Sequence, residues 1–123
     1  MLLKNEQIYT SAQLLNQFFN VNCDCKLPIK INFFLQKNIK LMSALAMEID
    51  QARMDIAKQN GVLNEAGDAY IIPEDKQAQV NQALDELFNL TQEVSLHIFK
   101  LEDFENVELT YQQMNAIMFM IEE

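Results

Sequence analysis

Three groups of side chains in this 123-residue chain have types and spacings that could do chemistry. The first is Cys23-Asp24-Cys25 together with His97, the one histidine of the sequence. Thiolates, a carboxylate and an imidazole are metal-ligand types. A structural zinc site, however, takes four ligands from paired spacings, and this set offers three soft ligands at most. No metal and no other cofactor is expected. As a general base His97 would need a nucleophile and an orienting acid within reach, and no residue pattern supplies either. It reads as a surface or edge-of-core histidine.

The second group is the carboxylates Glu102, Asp103, Glu105 and Glu108. Catalytic acid pairs need surroundings that drive their pKa values apart. These four stand among the polar residues of an expected loop, where water treats them alike. There is also no glycine-rich phosphate loop, no helix-borne histidine pair and no nucleophile elbow. The expectation is a protein without catalysis, in which the four acids form a partner-binding surface.

The third group is basic. At 100° per residue Lys30, Lys37 and Lys40 fall within about 80° of one another, and Phe33 projects into the same sector. No acid occurs between Cys25 and Glu48. Lysines around an aromatic ring suit stacked nucleic acid or an acidic protein surface. The plainer reading comes first: a solvated face with Phe33 covered by the first helix. Lys30, Phe33, Lys37 and Lys40 are the second candidate binding face.

The charge pattern sharpens that choice. The net charge is −9. Residues 85–123 hold nine acids against Lys100 alone, a balance of −8, whereas residues 1–84 are nearly neutral at −1. Neutralising phosphates takes clustered Lys and Arg, so direct nucleic-acid binding is not expected. A partner with a basic surface is, and the two oppositely charged faces could also meet within or between copies. Cys23 and Cys25 are too close in sequence for an unstrained disulfide, which fits free thiols in a reducing compartment. No apolar run reaches the about 18 residues of a membrane span, and MLLKNEQ does not read as a signal peptide. A cytoplasmic location follows as an expectation.

The elements that must position these groups are mostly helical. Half of the residues are hydrophobic, with only two glycines and two prolines, which suits one domain with a single core. Residues 1–3 suggest a short strand. Asn5 is placed to cap a helix through Phe19, with Ile8, Ala12, Leu15 and Phe19 on one face. From Pro28 to Asn60, Leu35, Met42, Ile49 and Ile56 recur every seventh residue, with Ile39, Leu45, Ala46 and Ala52 beside them. Ile29 and Ile31 also alternate, leaving the first turn open between helix and extended chain. Gly61 stands where a left-handed cap would end the helix.

Residues 64–68 have turn chemistry, and residues 69–72 strand propensity. A helix after Pro73 carries Val80, Ala83, Leu84, Leu87 and Phe88. Between Glu93 and Phe99 the period drops to two, with Val94, Leu96 and Ile98 inward and Ser95, His97 and Phe99 outward. Thr110-Tyr111-Gln112-Gln113 matches a capping box, followed by a face of Met114, Ile117, Met118 and Ile121. The fold class is α+β: one long helix and two or three shorter ones packed with a small antiparallel sheet.

Residues 26–123 resemble a small family of unknown function encoded by phages and prophages of Gram-positive bacteria. The resemblance is carried by Val94, Leu96, Ile98, Leu101, Asp103, Phe104 and the closing Met120-Ile121-Glu122-Glu123. Upstream it includes the Leu-Pro opening of a long helix that ends in the pair Ala52-Arg53. It implies a phage or prophage accessory protein, in a bacterial cytoplasm, and transfers no functional residues. The expected function is protein binding in virion or tail assembly. The alternative is an acidic inhibitor of a host defence system, anti-CRISPR-like, that occupies a nucleic-acid channel of an effector. The partner is then a phage structural protein or a host defence effector.

Overall fold

The computed structural model describes residues 1–19 and 26–122. Strand β1 (Leu2–Lys4) leads directly into helix α1 (Asn5–Phe18). Helix α2 (Ile29–Asn60) has 32 residues, close to 48 Å at about 1.5 Å per residue. A hairpin of β2 (Val62–Leu63) and β3 (Tyr70–Ile71) follows, then α3 (Gln77–Asn89), β4 (Thr91–Glu93) and β5 (Phe99–Lys100). The chain closes with α4 (Tyr111–Ile117) and β6 (Ile121–Glu122). The class is α+β, as the periodicities imply. The strands form three separate pairs: β1 with β4 and β2 with β3 are antiparallel, and β5 with β6 is parallel.

The core lies where α1 crosses α2 and where the acidic third folds back over that crossing. α1 contributes Ile8, Ala12 and Leu15, with Phe19 just beyond its end, and α2 contributes Leu35, Ile39, Met42 and Ile49. Val94, Phe99, Phe104, Ile117 and Met120 complete it from the C-terminal side. Each of the larger of these side chains stabilises the fold by about 1.5–3 kcal/mol when fully buried, Ala12 by less. The sevenfold repeat of α2 therefore marks its packed seam, and α2 is helical from Ile29 onward.

Several local expectations are overturned. Asn5 does not cap α1. It is the first helical residue, only 3% exposed, and its amide joins distant segments. Its Nδ2 donates to the Leu87 carbonyl at 2.8 Å, and its Oδ1 accepts from Gln92 Nε2 at 2.7 Å. The helix start is satisfied instead by Gln7, whose Oε1 accepts the Lys4 N–H at 2.9 Å.

Nor does the chain run as one strand from Glu93 to Phe99. β4 ends at Glu93, β5 starts at Phe99, and residues 94–98 have no regular structure. Pairing with the N-terminal segment stops at Val94, whose N–H donates to the Met1 carbonyl at 2.8 Å. Among the described residues no strand pairs with residues 95–98, so the alternation fails at its end. Ile98 is 40% exposed and Phe99 only 2%, the reverse of the expected facing. At the C-terminal helix the capping box forms as read: Gln113 N–H donates to Thr110 Oγ1 at 3.1 Å, and Thr110 N–H to Gln113 Oε1 at 2.9 Å. After Ile117 the helix tightens into a 3₁₀ turn over Met118–Met120. That shorter period turns Met120 into the core and leaves Met118 exposed.

Gly61 ends α2 without a left-handed cap. Its φ of −117° and ψ of 174° are extended. Glycine is required there by closeness: a Cβ would lie 2.8 Å from the Ala57 carbonyl oxygen and 3.0 Å from that of Ile71. The left-handed glycine is Gly67, at φ 72°, in the hairpin turn where Asn64 Nδ2 donates to Asp68 Oδ1 at 2.7 Å. Gly61→Ala should accordingly destabilise the protein by about 1–3 kcal/mol through overpacking against backbone. Denaturant unfolding measures this, and an unchanged midpoint would show that the hairpin does not press on the helix end.

Candidate binding faces of the acidic turn and the long helix

The acidic face starts with local backbone geometry. Residues Leu101–Phe104 form a 3₁₀ turn, and its start is fastened by Asp103, whose Oδ2 accepts the Lys100 N–H at 3.0 Å. The turn is pinned from beneath by Phe104, 5% exposed and part of the core. The chain continues ordered past it, with Val107 N–H donating to the Phe104 carbonyl at 3.1 Å. Glu102, Asp103, Glu105 and Glu108 all stand exposed around this buried ring. Among the described residues none of the four forms an ion pair; the side-chain pair in the chain lies elsewhere, on α2. An open hollow of about 370 Å³ beside the turn is lined by Lys100, Leu101, Glu102 and Glu122.

That pair joins Arg53 to Asp50 at 2.7 Å. Tyr9 Oη on α1 donates to the same carboxylate at 3.4 Å. The hydrogen bonds that Arg53 donates to the Asp50 carboxylate raise the Arg53 pKa above its ordinary value. A guanidinium is already charged at every accessible pH, so a raised value adds no pH dependence to stability there. The contact ties the two crossing helices and offers no chemistry.

The basic face lies on the first half of α2. Lys30, Lys37 and Lys40 are exposed. Phe33 is 59% exposed and Ile29 88%, so the first helix does not cover Phe33 as expected. α1 packs instead along the stretch of α2 from Gln36 to Asp50, where Asn16 Nδ2 donates to Ser43 Oγ at 2.9 Å. It is Phe34 that turns toward the body, while Phe33 stays outside with Lys37 Nζ 5.6 Å from its ring centroid.

Between the two faces runs a row of rings that no pattern in the sequence announces. Phe33 meets Phe34 edge-on at 5.3 Å, and Phe34 stacks on His97 at 4.1 Å with 12° between planes. His97 meets Phe99 at 4.7 Å, and Phe99 meets Phe104 at 5.4 Å. His97 thus contacts aromatic rings rather than a nucleophile or an acid. Its backbone is held by Asn38 of α2, itself 3% exposed. Asn38 Nδ2 donates to the His97 carbonyl at 2.9 Å, and Asn38 Oδ1 accepts the His97 N–H at 2.9 Å. A side-chain amide there does for residue 97 what a neighbouring strand would do.

The sequence-level candidates therefore resolve into two exposed surfaces joined by a packed aromatic row. Cys23-Asp24-Cys25 lies outside the described residues. Among the described residues no group of three His, Cys, Asp or Glu side chains is arranged to hold a metal ion. None of the helices so described is long and apolar enough to cross a membrane. Asn38 was missed because an asparagine within a helical stretch reads as surface, and only the surrounding apolar seam hinted that position 38 faces inward. Asn5 reads as a cap because its long-range partners are invisible to local rules.

No family model, curated protein or solved structure matches this chain.

Removing the Asn38 amide leaves the His97 N–H and C=O without their partners. Asn38→Ala should cost about 2–4 kcal/mol, from two lost hydrogen bonds and a small cavity, with loss of near-UV aromatic signal. Asp103→Ala should cost only about 1 kcal/mol as a lost cap. Glu105→Lys should shift stability by less than about 0.5 kcal/mol. Equal losses in all three variants would mean that the acidic turn is not organised from beneath as described.

Proposed function

We propose that this chain is a non-enzymatic accessory protein of a phage or prophage, acting in virion or tail assembly by binding a partner protein with a basic surface. The phage setting, and with it the bacterial cytoplasm as the place of action, rests on the family resemblance of residues 26–123. The binding mode rests on one observation. Glu102, Asp103, Glu105 and Glu108 stand exposed and unpaired, among the described residues, on a turn whose centre is the buried Phe104. A turn whose backbone is already fixed by Phe104 and Asp103 loses little backbone freedom on docking. It also steers a basic partner over distances up to a Debye length, about 8–10 Å in physiological salt.

A second reading draws on the same array. Four carboxylates within seven residues can occupy lysines and arginines already arranged for phosphates. The chain would then inhibit a nucleic-acid-binding effector of host defence, with the acidic turn in the channel. The two readings differ in partner and in timing.

A tagged chain used as bait in lysate of infected host cells separates them. The first reading expects capture of virion or tail components, lost with the Glu102→Lys, Glu105→Lys double variant and weakened steeply by salt. Capture of a nucleic-acid-binding effector, with release by added polyanion, supports the second. Partner capture that is indifferent to the double variant and to salt contradicts both.

A further inference from the structure

On a chain of net charge −9, the exposed face of α2 is an anomaly. Ile29 is 88% exposed and Phe33 59%. Lys26, Lys30, Lys37 and Lys40 surround them, all exposed. Apolar side chains rimmed by like charges mark a surface that another molecule covers. The occupant must be anionic. A nucleic acid fits poorly, because the acids of the 101–108 segment would repel a phosphate backbone approaching this side. A short array of carboxylates beside an exposed apolar side chain fits well, and the chain itself carries one in Glu102, Asp103, Glu105 and Glu108 next to Leu101.

We propose that the Phe33–lysine face docks on the acidic turn of a second copy of this chain, forming a two-fold dimer. The ring row from Phe33 through Phe34, His97 and Phe99 to Phe104 fixes the two surfaces side by side, each step between 4.1 and 5.4 Å. Two complementary patches held together on one molecule are self-complementary under a two-fold axis. The basic face of one copy meets the acidic turn of the other, and the same contact recurs across the axis. Four lysines then oppose Glu102, Asp103, Glu105 and Glu108. Leu101, 53% exposed beside the turn, offers Phe33 and Ile29 apolar contact. The contact rests mainly on exposed opposite charges, which salt screens, so the dimer is weak and dissociates with salt.

This inference rests on the acidic turn being a binding surface and gives that surface a regulator. In the dimer the turn is covered, so self-association competes with the basic partner. Occupancy of the turn then depends on protein concentration as well as on the partner.

The test uses two double variants of the full chain. One reverses the basic face, Lys37→Glu with Lys40→Glu; the other reverses the turn, Glu102→Lys with Glu105→Lys. All four positions are exposed, and far-UV circular dichroism checks that each variant is folded. Sedimentation velocity at low salt should show the wild type dimerising and the dimer lost at high salt. Each variant alone should be monomeric, its dissociation constant raised at least about tenfold by like-charge opposition. An equimolar mixture of the two variants should regain a heterodimer, because both of its contacts are then complementary.

A wild type that stays monomeric at low salt overturns the inference. So does a mixture that stays monomeric, or variants that dimerise as the wild type does. Should a reversal fail to fold, Lys37→Ala with Lys40→Ala and Glu102→Gln with Glu105→Gln replace it, each expected to weaken the dimer. The partner assay separates the two levels. Partner capture by the basic-face variant without wild-type dimerisation rejects only the dimer. A restored heterodimer with no captured partner rejects only the functional reading.

Discussion

The side-chain amide of Asn38, buried in the long helix, holds the backbone of His97 through two hydrogen bonds of 2.9 Å each. Much of the C-terminal half depends on that contact. Beyond Val94, which still bonds Met1, residues 95–98 run without a partner strand, and an unpaired buried backbone group costs about 1–3 kcal/mol. Asn38 removes that cost at residue 97. With residue 97 fixed, Phe99 can turn into the core and β5 can find β6. The same residue also places the His97 ring between Phe34 and Phe99, which makes the aromatic row continuous.

Two asparagines thus play matching parts at opposite ends of the molecule. Asn5 ties the start of α1 to the end of α3 and to Gln92 within β4. Asn38 ties α2 to the irregular segment that carries the acidic turn. Both sit at 3% exposure, where an amide can donate and accept at once without a charge to desolvate. A carboxylate or a lysine in either place would bring the burial penalty of an ion. The fold is therefore assembled from short strand pairs that could not stand alone, stitched to the helices by side chains.

The parts legible in the sequence are those governed by period and by caps. The sevenfold apolar repeat of α2, the 3.6 period of α1 and the Thr110 capping box each follow from local rules, and each is present. What escaped is what tertiary partners decide. The alternation from Val94 to Phe99 promised a strand, but a strand needs a neighbour, and Asn38 takes that place for one residue only. Gly61 looked like a left-handed cap, yet its constraint comes from two carbonyl oxygens, that of Ala57 on its own helix and that of Ile71 ten residues on. Phe33 and Phe34 are adjacent and alike; which of them would be covered was settled by His97, far off in sequence. The acidic turn was readable as exposed carboxylates. That Phe104 anchors it, and that a row of rings leads from it to the lysines, was not.

The central claim is that a side chain, not a strand, holds residue 97, and amide hydrogen exchange at His97 tests it most directly. Its N–H lies outside every helix and strand. The account predicts protection comparable to core helix amides, lost selectively in Asn38→Ala relative to the amides of α1. Exchange of the wild-type His97 amide at the rate of an open loop would contradict it.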